Sequence, residues 1–344
     1  MIAFISCKET NEEFLPDPEI VNPLTDFEMT KDPENAFKYS FKNLSSKFKR
    51  VEWRFGDDTL STAVDPVHIY KGTGNYSVEL RTYSETGNVS RKLAVVNINP
   101  DSVMQITAER TGVLNQVKLG VKVKAPIEAV AWTFNDVTPA TTSNLLNPLK
   151  TYEPSTLNTV SARVTTKDGS VVTLRKTNAT SNGFVTEITK ERLSYTVSAE
   201  NNYNAAEASQ NIVDGNTETK FVIGGRVERA FNYPFIVTLN YSTPQEVKMY
   251  AVGNSNDLPN RDPKAWIIQG SNDGTNWETV DSRLMTKTFY AQMTDKGATT
   301  DIQRYKQLFY YGIENPKAFK SFRISISANW GEATMQINEW RLYK

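Results

Sequence analysis

The sequence predicts an all-β protein built from three sandwiches. Three observations point to this. Apolar and polar residues alternate with period two in "YSVELRTY", "VSARVTT", "FIVTLNY" and "SFRISIS", the pattern of half-buried strands. Thr, Val, Tyr and Ile crowd these runs, as pleated surfaces prefer. Between them stand "GDD", "ETGN", "KDGS" and "SNDGTN", residues that tolerate tight turns. Short strands at regular spacing with such turns indicate sandwiches, and helix signals are scarce. A length of 344 residues accommodates two or three domains.

An internal repeat organises the first half. "VEWRFGDD" begins at position 51 and "VAWTFND" at position 130. Trp53 and Phe55 thus correspond to Trp132 and Phe134, and Tyr70 to Tyr152. Residues two apart on a strand share a face, so each Trp and its Phe point into one core, and the acid that follows can bond turn amides. The reading places a tether at residues 1–18, sandwiches at 19–99 and 100–177, a polar linker at 178–191 and a third sandwich at 192–344.

The first unit, with "WRFGDD", Pro66, "HIY" and "GNYSVEL", resembles a PKD (polycystic kidney disease) domain. Arg54 and Asp58 depart from that family's pattern. The second unit keeps Trp132, Phe134 and Tyr152 but lacks the Gly and His. The resemblance implies immunoglobulin-like spacer modules without a catalytic site. His68 is the chain's one histidine. It is an acid–base or ligand candidate by type, but its place before Tyr70 assigns it a structural role.

From about Leu193 the text changes. "SAENNYNAAEASQNIVDGNTETKF", "FIVTLNYSTPQEVKMYAV", "RDPKAWIIQGSNDGTNWETV" and "KAFKSFRISISANWGEATMQINEWRLYK" resemble, in that order, the coagulation factor 5/8 type C (discoidin-like) family. This family includes bacterial carbohydrate-binding modules of the galactose-binding-like fold. An antiparallel jelly-roll sandwich follows from the resemblance, with a ligand held on loops at one end. Trp266 and Trp277, near the two ends of the "GSNDGTNW" hairpin, read as core.

A sugar site needs an exposed ring and directional polar groups. Trp330, between a strand and Gly331, is the candidate ring, with a lid over the core as its other reading. Arg226, Asn232 and Tyr233 in one loop, and Asn256 and Arg261 in another, are the candidate polar partners. Arg261 could instead pair with Asp262 or another loop carboxylate to hold the turn. Asp214, Asn216 and Thr219 offer hard oxygen ligands in one short loop around Gly215, as Ca²⁺ requires. The resemblance adds the Ile212 carbonyl and Glu339 to this set. A metal-free turn capped by Asp214 is the alternative.

Lys plus Arg equals Asp plus Glu at 39 each, so net charge gives no reason to expect a nucleic-acid partner. No "HExxH" or "GxSxG" appears. Cys7 follows the apolar "MIAFIS" and precedes a polar, acidic stretch. This resembles the end of a bacterial lipoprotein signal with an acylated Cys, against an incidental thiol. The expectation is a non-enzymatic, lipid-anchored cell-surface protein, its two spacers presenting a glycan-binding module with a structural Ca²⁺. The other readings are an adhesion protein with a protein ligand, and a glycosidase or peptidase.

Overall fold

The structure, a computed structural model, describes residues 22–153 and 156–344; the tether and Cys7 lie outside them. The chain falls into two compact units. One takes the described residues up to Met104 with Val123–Glu128 and Val164–Val172; the other takes Gln105–Lys122, Ala129–Arg163 and Thr173–Lys344. No helix among the described residues is long and apolar enough to cross a membrane.

In the first unit, a three-stranded sheet (Phe27–Lys31, Lys38–Asn43, Val67–Ile69) faces a four-stranded one (Leu60–Ser61, Arg50–Arg54, Gly74–Tyr83, Val89–Ile98). The alternation is realised: Val51 and Trp53 are buried while Arg50 and Arg54 are exposed. Trp53 and Phe55 lie nearly parallel, 6.5 Å between centroids and 3° between planes. The Trp53 indole N–H donates to Ala63 O at 3.1 Å, so the buried ring leaves no polar atom unpaired. Gly56 has φ +84°, and a Cβ there would stand 2.6 Å from Ser77 N. Gly56→Ala adds backbone strain to a clash that has no flexible atom to yield. It is expected to cost at least about 2 kcal/mol, read as a drop in the first sandwich's melting temperature.

The repeat is the same structure built twice. Trp132 and Phe134 lie 6.3 Å apart at 5°, and Trp132 Nε1 donates to Leu145 O at 2.9 Å. The second sandwich pairs Leu149–Thr151, Gln116–Val123 and Met104–Arg110 in one sheet. Thr141–Ser143, Ile127–Phe134, Asn158–Thr166, Val171–Thr180 and Gly183–Phe184 form the other.

His68 proves structural. Its ring stacks on Phe55 at 4.2 Å and its Nε2 lies 2.7 Å from Asp57 Oδ2. Asp57 also accepts from the Thr59 backbone N–H at 3.3 Å, the turn role expected of the acid. In the second sandwich Lys150 takes the histidine's place. Its ammonium sits 5.0 Å over Phe134 and 2.8 Å from Asp136 Oδ2. The shared requirement is a side-chain nitrogen that can lie on the Phe face while reaching the acid two residues beyond it.

The C-terminal sandwich sets a five-stranded sheet against a three-stranded one. The first runs Ser194–Val197, Phe235–Glu246, Ala318–Ala328, Ala265–Ser271, Glu278–Leu284; the second runs Leu308–Gly312, Met249–Gly253, Trp340–Tyr343. Phe221–Gly224 pairs antiparallel with Thr334–Ile337. Phe235, Val237 and Leu239 meet Phe322, Ile324 and Ile326 in a core closed by Tyr250, Trp266 and Trp340. Trp266 donates to Tyr250 at 2.9 Å, and Tyr250 to Asp281 at 2.7 Å.

Three features depart from the sequence reading. Trp277 is not core: it is half-buried, with Arg323 stacked on its ring at 4.1 Å. Its indole N–H is spent on Gly274 O at 3.2 Å in its own hairpin, which holds the ring at the sheet's outer side. Two short helices, Phe289–Asp295 and Asp301–Arg304, stand between Glu278–Leu284 and Leu308–Gly312. Their Thr- and Gly-rich text hides them, and only Phe289 is fully buried.

The polar stretch 178–192 is also not a loose loop. Ile188 is fully buried in the C-terminal core, and its N–H bonds Leu342 O at 2.9 Å. Thr186 exchanges backbone hydrogen bonds with Lys344 at 2.9 and 3.0 Å. Val185 and Leu157 pack with Met249, Ala251 and Tyr343 in a second apolar cluster, which is why Met249–Gly253 is buried on both faces.

Candidate functional site

Gly224 pairs with Thr334, so the chain leaving one strand and the chain entering the other meet at one end of the sandwich. This puts Arg226, Asn232, Tyr233 and Trp330 on neighbouring loops. A third loop joins them, since the Trp330 N–H donates to Asn260 O at 3.0 Å. Gln336, fully buried, holds that loop from beneath by donating to Asp257 O at 2.6 Å and Leu258 O at 3.2 Å.

Trp330 is half-buried, and the Lys264 ammonium lies 5.0 Å from its ring centroid. Its indole N–H is buried without a protein partner among the described residues. Tyr233 is 38% exposed. Burial pushes its hydroxyl up to about 12, against a hydrogen bond from the Asn329 backbone. Arg226 lies 4.7 Å over the ring of Tyr203, which is 52% exposed. Asn232 is exposed beside Tyr233. The end therefore presents two aromatic–cation stacks. Lys264 and Tyr203 escaped the sequence reading, although Lys264 directly precedes the strand that buries Trp266.

Arg261 does not pair with Asp262. Asp262 is fully buried and accepts from Ser255 N at 3.3 Å and Gln336 Nε2 at 3.1 Å. Burial raises its pKa well above the usual carboxylate range. Arg261 Nε is buried without a protein partner among the described residues. Asn256 faces elsewhere, into a concavity of about 440 Å³ that it shares with Glu218, Ile302 and Tyr305.

The acidic loop closes as its sequence suggests. Asn216 N–H donates to Asp214 Oδ1 at 2.7 Å and to Glu339 Oε1 at 2.8 Å. Thr219 Oγ1 donates to Asp214 Oδ2 at 2.8 Å. Gly215, at φ +80°, makes the turn. Ile212 is buried at the loop's root. Glu339 is fully buried. Desolvation first, then its hydrogen bond with Asp214, raises its pKa to about 8, against the pull of Arg341. Arg341 Nε reaches its other oxygen at 2.9 Å. No three His, Cys, Asp or Glu side chains converge among the described residues. The donor set is two carboxylates with amide, hydroxyl and carbonyl oxygens. That mixture suits a hard cation, and Glu339, buried beside a second carboxyl, keeps a raised pKa despite Arg341.

Residues 16–99 match the PKD domain family, and the first sandwich is a PKD domain. Among curated proteins, Collagenase ColA of Bacillus cereus is 33% identical over 100 residues, 28% of this chain and 10% of that one. Collagenase ColQ1 of Bacillus cereus is 28% identical over 99 residues, 27% of this chain and 10% of that one. The chain thus spans about a tenth of the length of the curated relatives it matches. Similar solved structures include the family 32 CBM from C. perfringens NanJ in complex with galactose. The two share 14% identity over 46% of this chain and 99% of that one, with a TM-score of 0.35. Chitosan-binding module 1 of a chitosanase/glucanase from Paenibacillus sp. IK-5 gives 16% identity over 46% and 99%, with a TM-score of 0.33.

Proposed function

We propose that this is a non-catalytic glycan-binding protein whose C-terminal sandwich holds sugar on the loops around Trp330. The observation that carries the reading is the meeting of Trp330, Lys264 and Tyr233 at one loop end. A half-exposed indole offers a face to the C–H side of a sugar ring. The ammonium, the phenol and the nearby Arg226 and Asn232 supply directional bonds to hydroxyls. The discoidin-like sequence pattern supports the same assignment, and the immunoglobulin-like modules serve as spacers. Acylation of Cys7 would anchor the protein to a bacterial cell surface, where many copies would compensate for weak single-site binding.

Calcium belongs to the same reading. Asp214, Asn216, Thr219, Glu339 and the Ile212 carbonyl would hold the ion. The ion would fix the loop and would take no part in chemistry.

The test is titration of the full chain against a panel of neutral and host-type glycans. Trp330→Ala is expected to weaken binding at least tenfold, about 1.4 kcal/mol or more, while leaving the melting temperature within a few degrees. Absence of binding across the panel would sink the glycan reading. It would favour the second one, a protein ligand. That reading draws on Val89, Leu93 and Val95, exposed on an edge strand of the first sandwich.

A further inference from the structure

The outer face of the C-terminal five-stranded sheet carries ordered rows of polar residues. Strand register places Thr196 opposite Thr238, Thr238 opposite Arg323, Arg323 opposite Gln269, and Gln269 opposite Thr279. This is one continuous row across all five strands. A second row runs Ser194, Asn240, Ser321, Ser271. It is tied by Asn240 Nδ2 to Ser194 Oγ at 3.1 Å and Ser321 Oγ to Asn240 Oδ1 at 2.7 Å. Every residue in both rows is polar, and the opposite faces of the three central strands carry the core. Thr196 and Thr279 are exposed, and the three residues between them are half-buried.

One uncompensated charge stands at the centre. Arg323 Nε donates to Gln269 Oε1 at 2.8 Å, and its guanidinium lies 4.1 Å over Trp277. It forms no ion pair among the described residues. The carboxylates nearby are already taken. Asp273 accepts from Asn276 N at 2.7 Å, Asn276 Nδ2 at 2.7 Å, Thr275 N at 2.8 Å and Ser271 Oγ at 3.0 Å. Glu278 pairs with Lys317. Beside Trp277 lies a concavity of about 390 Å³, with Asn272, Asn276 and Glu278 in its wall. One cation without an ion pair among the described residues, an aromatic edge and rows of hydroxyls and amides thus share one face.

We propose that this face is a second binding surface, for an extended polysaccharide bearing carboxylates. Arg323 is its anion contact. A planar guanidinium held by Gln269 and Trp277 keeps its remaining N–H groups in a fixed fork, the geometry that grips a carboxylate with two bonds. Ser271 and Ser321 are buried, but the strand spacing of about 4.8 Å sets Thr196, Thr238, Thr279, Ser194 and Asn240, exposed or half-buried, at intervals a sugar chain can meet with successive hydroxyls. The site is independent of the loops around Trp330 and does not rest on them.

The test uses the full chain and two probes, polygalacturonate and a neutral galactan, at low and moderate salt. Polygalacturonate is expected to bind with an affinity that falls as salt rises. Arg323→Gln should weaken it about tenfold, and Trp330→Ala should leave it unchanged. Thr238→Glu places a carboxylate across the strand from Arg323 and should weaken binding equally without removing the Arg–Trp stack. That second variant keeps the test intact if Arg323→Gln fails to fold. The proposal is overturned if polygalacturonate binds no better than galactan, if both sheet variants bind it as the wild type does, or if its binding is lost with Trp330→Ala instead. Failure of the galactan arm alone counts against the loop site and not against this one.

Discussion

Ile188→Ala in the full chain is expected to destabilise the C-terminal sandwich by about 2–5 kcal/mol, the range for emptying a filled core position of this size. Ile188 is fully buried among residues that lie far from it in sequence. Next to it, Thr189 Oγ1 accepts from the Leu342 N–H at 3.0 Å, so the loss would also loosen the last strand. The measurement is the melting transition followed by Trp fluorescence, since Trp266 and Trp340 report this core. A shift below about 0.5 kcal/mol would show that Ile188 is not part of it. The same packing predicts that a chain cut to residues 192–344 melts well below one cut to residues 184–344. The shorter piece lacks Ile188 and the backbone pairing of Thr186 with Lys344.

Calcium and pH should act on the acidic loop in opposite senses. Glu339 has its pKa raised to about 8 in the folded protein, against 4.5 for an ordinary Glu. The folded state therefore holds a proton that the unfolded state has released between these values. The stabilisation from that proton is complete below pH 4.5 and is lost as pH rises through 8. A gap of three to four pH units corresponds to at most roughly 4–5 kcal/mol. In chelator, the C-terminal transition is expected to fall steadily from pH 5 to pH 8. With calcium the ion must displace the proton, so affinity should climb with pH across the same interval. Calcium should then raise the melting temperature most at pH 8. Glu339→Gln should remove both dependences. A wild-type melting temperature that ignores calcium and chelator at pH 8 would refute the metal assignment and leave a neutral carboxyl capping a metal-free turn.

What could be read from the sequence was whatever is written in apolar spacing. Trp53 and Trp132 announce their sandwiches because a Trp two residues from a Phe must point into the same core. Phe322, Ile324 and Ile326 announce their strand for the same reason. Side-chain chemistry that changes residue type while keeping its physical job was hidden. Lys150 reproduces the contacts of His68, but a search for histidine passes over it. Trp277 misled because a Trp beside a hairpin usually fills core, whereas here Gly274 O holds its indole and Arg323 covers it. The loop end was legible in part. Trp330, Tyr233 and Arg226 lie together, but Asn256 turns to another concavity. No spacing rule could tell that Lys264 would cover the indole.

The clasp between Thr186–Thr189 and Leu342–Lys344 also dictates an order of events in time. The PKD domain contains all of its own strand partners and can close as soon as it leaves the ribosome. The C-terminal sandwich cannot, because Ile188 waits for a partner some 150 residues downstream. Contacts of such high sequence separation form late and slowly. Until Trp340 and Leu342 arrive, Tyr250, Trp266 and Phe322 lack one wall of their core. Until the last strand arrives, this module therefore presents apolar surface of the kind on which partly folded chains associate.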